Sequence, residues 1–255
     1  MTKVAILQAR MSSSRLPGKV LKKVLNRPLL SFQLERINQS KLVDEIVIAT
    51  TINRIDDAIE SVAESEKIKL FRGSEEDVLG RFNGAAEEFD AKLIVRLTAD
   101  CPLIDPDIID EVIGRFGEQS IDCQFATNAI PRSYPAGLEV ECFTREALGI
   151  AAAEAIDSYD REHVTSFFYR NPKRFKPLSV VSKVDHSKER WTLDEPQDFL
   201  LIKKVIEGFS KTNKAFRMHD IISILDVNPD WRELNSMIVE TPRLVKNSIF
   251  KGDET

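Results

Sequence analysis

Through residue 116 the chain alternates short apolar runs with longer stretches of helical spacing, and that rhythm admits few folds. Residues 4–7, 46–49, 68–71 and 93–97 read as strands. Their apolar character is largely continuous rather than alternating, so each strand is expected to be covered on both faces, as in a parallel sheet. Residues 28–37, 56–66, 75–89 and 106–116 carry apolar side chains at helical intervals. Pro28 suits the first turn of its helix, where no N–H is needed. The pattern predicts an α/β architecture, a mostly parallel twisted sheet flanked by helices.

After about Gln119 the rhythm changes. Residues 137–143 alternate like a strand at a sheet edge, which puts Glu139 and Glu141 on one face. Segments 145–155, 159–169 and 196–209 read as helices, 178–184 and 190–193 as strands. One or two helices and a polar tail follow Met218. No Gly/Ser-rich linker, repeat or low-complexity segment interrupts the chain. Residues 1–255 therefore read as a single domain, with a core over roughly 1–210 and a C-terminal helical extension over 211–255.

The first loop raises the functional question. Arg10, Arg15 and Lys19 cluster after the first strand, with three serines, a proline and Gly18 among them. In open α/β sheets ligands bind outside the carboxyl ends of the strands. Arginine offers a fixed fork of donors for phosphate oxygens and lysine a mobile point charge, while glycine allows close backbone approach. The loop suits a polyphosphate, although GxxxxGK[ST] and GxGxxG are both absent. A solvated basic surface loop is the competing reading.

Two aspartates fall at the same rim. In "LTADCPLID", Asp105 precedes Pro106 and reads as a helix cap, which leaves Asp100 without a structural task. Asp194, in "RWTLDEPQDF", ends an apolar run before Pro196 and is either a helix cap or a second functional carboxylate. Mg²⁺ takes few carboxylates together with waters and substrate phosphates, so two aspartates suffice for it. A basic loop beside such a pair implies a nucleotide polyphosphate. Ser74 could cap a helix with Asp77 at its third position, and Arg81 could lie on that helix's surface. Cys101 reads as a small buried residue, and a lone histidine such as His163 often serves packing.

Composition bounds the partners. The chain has 255 residues, 42% of them hydrophobic, and a formal net charge of -5. It can bury a substantial core, and its acidity argues against a general nucleic-acid coat. No run approaches the roughly 18 apolar residues of a membrane span. The start leads straight into a strand, so no secretory signal is expected. Cys101, Cys123 and Cys142 are odd in number and lack metal-ligand spacing, which favours a reduced, cytoplasmic setting.

Six ordered segments, "QARMSSSRLPGKVL", "FRGSEEDVLGRF", "RLTADCPLID", "YPAGLEVECF", "YDREHVT" and "RWTLDEPQDF", together resemble the cytidylyltransferase family that activates acidic sugars, and in particular its spore coat polysaccharide branch. The resemblance spans residues 3–205. It implies a nucleotide-diphospho-sugar transferase (GT-A-like) fold and a reaction in which CTP and a sugar acid give a CMP-sugar and pyrophosphate. The implied setting is surface polysaccharide biosynthesis, with Mg²⁺ as cofactor, a homodimer, and no nucleic-acid or membrane partner. Carried over motif by motif, Gln8, Ala9, Arg10, Arg15 and Lys19 would bind the nucleotide. Arg10, Lys19 and Asp100 would be catalytic, and Asp100 and Asp194 would hold the metal. Arg72, Ser74, Asp77 and Arg81 would lie around cytosine and ribose. Tyr134, Glu139, Glu141, Arg161 and His163 would face the sugar. Gln8 and Met11 depart from the sialic acid and octulosonate enzymes. Two other readings stay open: a glycosyltransferase of related fold, although only Asp100 stands where such enzymes carry Asp-x-Asp, and a non-catalytic binding protein.

Overall fold

A computed structural model describes residues 1–119, 123–210 and 215–239. The first half alternates strands and helices as expected: β1 (Lys3–Gln8), a hairpin of β2 (Lys23–Val24) and β3 (Arg27–Pro28), α1 (Leu29–Ile37), β4 (Glu45–Thr51), α2 (Asp57–Glu66), β5 (Lys69–Gly73), α3 (Val78–Glu88), β6 (Leu93–Thr98) and α4 (Pro106–Gly117). The second half contributes β7 (Phe125–Thr127), β8 (Glu141–Thr144), α5 (Arg145–Glu154), α6 (Ser158–His163), α7 (Ser166–Arg170), α8 (Pro172–Phe175), β9 (Leu178–Ser179) and α9 (Pro196–Ser210). Helices α10 (Met218–Asp226) and α11 (Pro229–Glu233) follow. The tail expected beyond residue 239 lies outside the described residues.

The main sheet runs β5-β4-β1-β6-β8-β7-β9. Strand β1 is paired in parallel on both sides, Ile6 lying opposite Val47 of β4 and Arg96 of β6. Strand β8 is antiparallel to β6 and β7. The continuous apolar runs are explained by two core clusters. Leu7, Val95 and Leu97 pack with Leu30, Ile109 and Ile202. Ile6, Val47 and Ile94 pack with Phe82, Leu148 and Phe168. Each central strand is thus dry on both faces, the condition a parallel sheet requires. Among the described residues no helix is long and apolar enough to cross a membrane.

The second half departs from the sequence pattern where tertiary contacts override it. The helix expected over 159–169 is broken at Val164, whose φ of 51° no helix tolerates. The break lets Val164, Phe168 and Tyr169 enter the second core, while Ser166 Oγ donates to Asp160 at 2.5 Å. The strand expected over 178–184 ends at Ser179; Ser182 N–H turns to Ser133 Oγ at 2.8 Å. The strand expected over 190–193 is reduced to one bridge between Ala136 and Arg190. Two short strands, β2 and β3, escaped the periodic reading. Leu25 and Asn26 between them both have positive φ, as a tight hairpin turn demands.

Gly137 sets the course of the chain past the carboxyl ends. Leu138 N–H closes a turn on the Pro135 carbonyl at 3.2 Å, with Gly137 at φ 102°. A Cβ there would lie 2.6 Å from the backbone of Trp191 and Thr192. Gly137→Ala is therefore expected to destabilise the fold by about 1–3 kcal/mol, measured by denaturant unfolding. Wild-type stability would show that the two segments are not in close contact.

Candidate active site

The loop after β1 is anchored to the fold, with Arg10 and Arg15 left exposed. Met11 N–H donates to the buried Asp56 carboxylate at 2.7 Å, and Gly18 N–H returns to the Met11 carbonyl at 3.0 Å. Leu16 and Val20 reach into the first core. Gly18 has φ 67°, which turns the chain so that Lys19 begins a short 3-10 turn. The Lys19 side chain, only 12% exposed, then lies between two carboxylates. Its Nζ is 3.2 Å from Asp100 Oδ2 and 2.9 Å from Asp194 Oδ1.

The two aspartates arrive from distant parts of the chain. Asp100 follows β6, and Thr98 Oγ1 donates to it at 2.5 Å. The segment bearing Asp194 is tied alongside, because Leu193 N–H donates to the Asp100 carbonyl at 2.8 Å. Asp194 also meets Arg15 at 3.1 Å and Arg190 at 3.4 Å. It caps no helix. Asp198, the third residue of α9, reaches back so that its Oδ2 accepts from the N–H groups of Asp194 and Glu195, both at 2.9 Å. Asp105 caps α4 as expected, accepting from Asp107 N–H at 2.9 Å.

Charge fixes the protonation of this cluster. Burial alone would raise the Asp100 pKa, but the Lys19 charge and hydrogen bonds from Thr98 and Lys19 outweigh it and hold the carboxyl at about 2. Burial works against the Lys19 ammonium too, yet Asp100 and Asp194 raise its pKa above the ordinary value. Burial, with Asp100 and Glu139 nearby, keeps the Cys101 thiol protonated. It is a buried spacer and not a nucleophile.

A second group of charges lies toward α3 and α6. Arg10 stands 3.6 Å from Glu75 and 4.0 Å from Glu162. Arg81 is not on the helix surface: it is buried and donates to the Ser74 carbonyl at 2.5 Å. Burial and the nearby Arg10 charge lower its pKa to about 10. The cap of α3 is Asp77, which accepts from Gly80 N–H at 2.8 Å, while Ser74 Oγ accepts from Asp77 N–H. Arg161 pairs with Asp77 and anchors α6 to α3. Arg72 turns to α2, meeting Asp57 and Glu60 at 2.7 Å each and the carbonyls of Thr51 and Asn53.

The residues expected at the sugar divide. Glu139 accepts from Gly137 N–H at 2.7 Å and meets Arg132 at 3.2 Å; its carboxylate lies 4.0 Å from Cys101 Sγ, beside Asp100. Glu141 lies on the same side of the segment, opposite the inward Val140 and Cys142, but is 2% exposed. It is enclosed by Arg96, by Tyr169 Oη at 2.7 Å and by Thr165 Oγ1 at 3.1 Å. Tyr134 is packed in the core, and its hydroxyl donates to Glu111 on α4 at 2.9 Å. Tyr134 and Glu141 are thus not brought to an open crevice. His163 is exposed and its ring lies 4.1 Å from that of Tyr159. Sequence reading missed Arg96, which holds both Glu141 and Gln8 Oε1, the latter at 3.0 Å. An arginine within a buried strand was the signal for it. Glu75 and Arg190 carried no comparable signal. Among the described residues no three His, Cys, Asp or Glu side chains gather as a metal cage.

The model of the cytidylyltransferase family matches residues 4–228. The chain belongs to this family. It is 38% identical over 237 residues to an uncharacterized protein of Methanocaldococcus jannaschii, covering 92% of this chain and 95% of that one. It is 32% identical over 232 residues to the spore coat polysaccharide biosynthesis protein SpsF of Bacillus subtilis, covering 88% and 94%. A solved cytidylyltransferase from Leptospira borgpetersenii superposes with a TM-score of 0.88 at 33% identity, covering 94% of this chain and 100% of that one. A CMP:2-keto-3-deoxy-manno-octonic acid synthetase complexed with CTP, 17% identical, shares the fold at a TM-score of 0.61, covering 82% and 99%. The fold is the GT-A-like nucleotidyltransferase fold, and this cytidylyltransferase is a CTP-using enzyme rather than a binding protein.

The electrostatics can be tested without substrate. Because the Asp100 pKa is depressed in the fold, its stabilising contribution is present above the ordinary 3.8 and is lost as pH falls toward about 2. In Lys19→Met, burial is left with less opposition, so carboxyl NMR should show the Asp100 pKa rising. An unchanged titration would mean that Lys19 does not hold this carboxylate ionised.

Proposed function

We propose that this cytidylyltransferase transfers CMP from CTP to a sugar acid of the octulosonic or nonulosonic type, releasing pyrophosphate, in surface polysaccharide biosynthesis. The observation that carries the reading is the meeting of Lys19, Asp100 and Asp194 at the carboxyl ends of β1 and β6. Partial relatives support the acceptor class: a 3-deoxy-manno-octulosonate cytidylyltransferase of Geobacter metallireducens is 34% identical over 109 residues, 43% of this chain and 42% of that one. The spore coat relative supports the setting.

The donor set fits Mg²⁺. Asp100 and Asp194 converge on one point, and Asp100 stays ionised well below neutral pH. Two carboxylates that share a cation, with room left for phosphates and water, are what this ion takes. Bound there, it would withdraw charge from the α-phosphate. Arg15, Lys19 and Arg10 supply donors for the triphosphate and for the departing pyrophosphate. An oxygen of the sugar acid attacks the α-phosphorus as the bond to the β-phosphate breaks. Glu139, whose carboxylate lies 4.0 Å from Cys101 Sγ, would accept a hydrogen bond from the sugar. Gln8, Ala9 and Arg81 would serve the nucleoside, and the Arg161–Asp77 pair joins α6 to α3.

Pyrophosphate release measured with each nucleoside triphosphate and a panel of 2-keto sugar acids tests this reading. CTP should be the preferred donor, because a site built to hydrogen-bond one base rejects others that leave its groups unpaired. Arg15→Ala should lower kcat/KM for CTP by about 10- to 150-fold, the equivalent of about 1.5–3 kcal/mol for one charged hydrogen bond. Preference for UTP or GTP, or unchanged kinetics in Arg15→Ala, would contradict it.

A further inference from the structure

The segment from α11 onward lies past residue 228, where the family match ends, yet it reaches the loop that carries Asp194. Asn235 is 5% exposed, and its Nδ2 donates to Asp198 Oδ1 at 2.8 Å and to the Arg190 carbonyl at 2.9 Å. Asp198 is fully buried and also accepts from Arg190 Nε at 3.0 Å and Nη2 at 2.9 Å. The same Nη2 lies 3.4 Å from Asp194 Oδ2. The N–H groups of Asp194 and Glu195 end on Asp198 as well. Around it the segment is fixed to the body of the protein. Arg232 meets Glu189 at 2.7 Å, and Trp231 packs on the first core under Lys204 of α9.

We propose that Asn235 is a positioning residue for Asp194, acting through Asp198 and Arg190, so that the C-terminal segment sets the affinity of the site for its divalent cation. The inference rests on the reading of Asp194 as a metal carboxylate. Asp198 is a buried charge that must be met by donors from all sides. With Asn235 gone, Asp198 Oδ1 loses a donor and the Arg190 carbonyl loses its tie to the segment. Arg190 is shared between two carboxylates, and it then shifts toward the one left short of donors. Asp194 Oδ2 then loses Arg190 while Lys19 and Arg15 remain at Oδ1, so its carboxylate is no longer held from both sides. Groups that orient a metal ligand in this way typically change metal affinity by about 10–100-fold when removed.

The test is direct binding of Mn²⁺, followed by electron paramagnetic resonance, with a non-hydrolysable CTP analogue present. Asn235→Ala and Asn235→Asp are compared with wild type, with Asp194→Asn, and with Met237→Ala as a control on an exposed residue of the same segment. Both Asn235 variants should bind Mn²⁺ about 10–100-fold more weakly and raise the KM for Mg²⁺. At saturating metal, their KM for CTP should stay within about twofold of wild type, and Met237→Ala should match wild type throughout. Thermal unfolding confirms that each variant is folded, and Asn235→Ser, which keeps one donor, replaces Asn235→Ala if that variant is not. Wild-type Mn²⁺ affinity in the folded Asn235 variants overturns the inference alone. Wild-type affinity in Asp194→Asn overturns the reading of Asp194 and the inference with it.

Discussion

The parallel pairing of β1 with both β4 and β6 is the constraint on which the rest of the molecule depends. It sends the carboxyl ends of three strands to one rim, so the loops that leave β1 and β6 emerge as neighbours. Lys19 and Asp100, 81 positions apart, can then form an ion pair without either chain segment crossing the core. The same pairing demands dry strands on both faces. The two core clusters supply this, with α1, α4 and α9 on one side and α3 and α5 on the other. Asp194 has no strand of its own to bring it to the rim. The backbone bond from Leu193 N–H to the Asp100 carbonyl and the Ala136–Arg190 bridge bring it instead.

What gathers at the rim is close to charge-balanced. Asp100 and Asp194 would repel if they met alone, and Lys19 between them removes that cost. Arg15 and Arg190 add positive charge around Asp194, while Glu195 and Asp198 offset them. Such an arrangement can exchange its internal partners for external ones. On the proposed reading, a cation would take up the carboxylates, and a triphosphate the arginines and the lysine. At the other end of the site, Arg81 is held near Arg10, and its pKa of about 10 still leaves it charged at neutral pH.

The βα half was legible, apart from the two-residue strands β2 and β3, because its helices and central strands are periodic and bounded by turn chemistry. Asp105 before Pro106 marked the start of α4, and the runs at 4–7 and 93–97 marked the central strands. The site was legible in the residues that lack a structural task, Asp100 above all. It was misread where a residue's partner comes from far away in sequence. Tyr134 was assigned to the sugar by its motif, but Glu111 on a neighbouring helix takes its hydroxyl. Glu141 has the right alternation, yet Arg96 and Tyr169 close over it. The sequence left Asp194 open between a helix cap and a functional carboxylate, and its side chain goes to Lys19, Arg15 and Arg190. The break at Val164 could not be read locally either. It exists because the second core draws Val164 and Phe168 inward from both sides of the turn.

On the proposed reading, Lys19 holds the place of the cation between Asp100 and Asp194 and passes to the phosphates when substrate binds. A crystal structure of the enzyme with a non-hydrolysable CTP analogue and Mg²⁺ tests it most directly. The expected result is metal density bonded to both carboxylates, with Lys19 Nζ moved onto a phosphate oxygen. The opposite result would be Lys19 still bridging the two aspartates, with nucleotide and metal bound elsewhere.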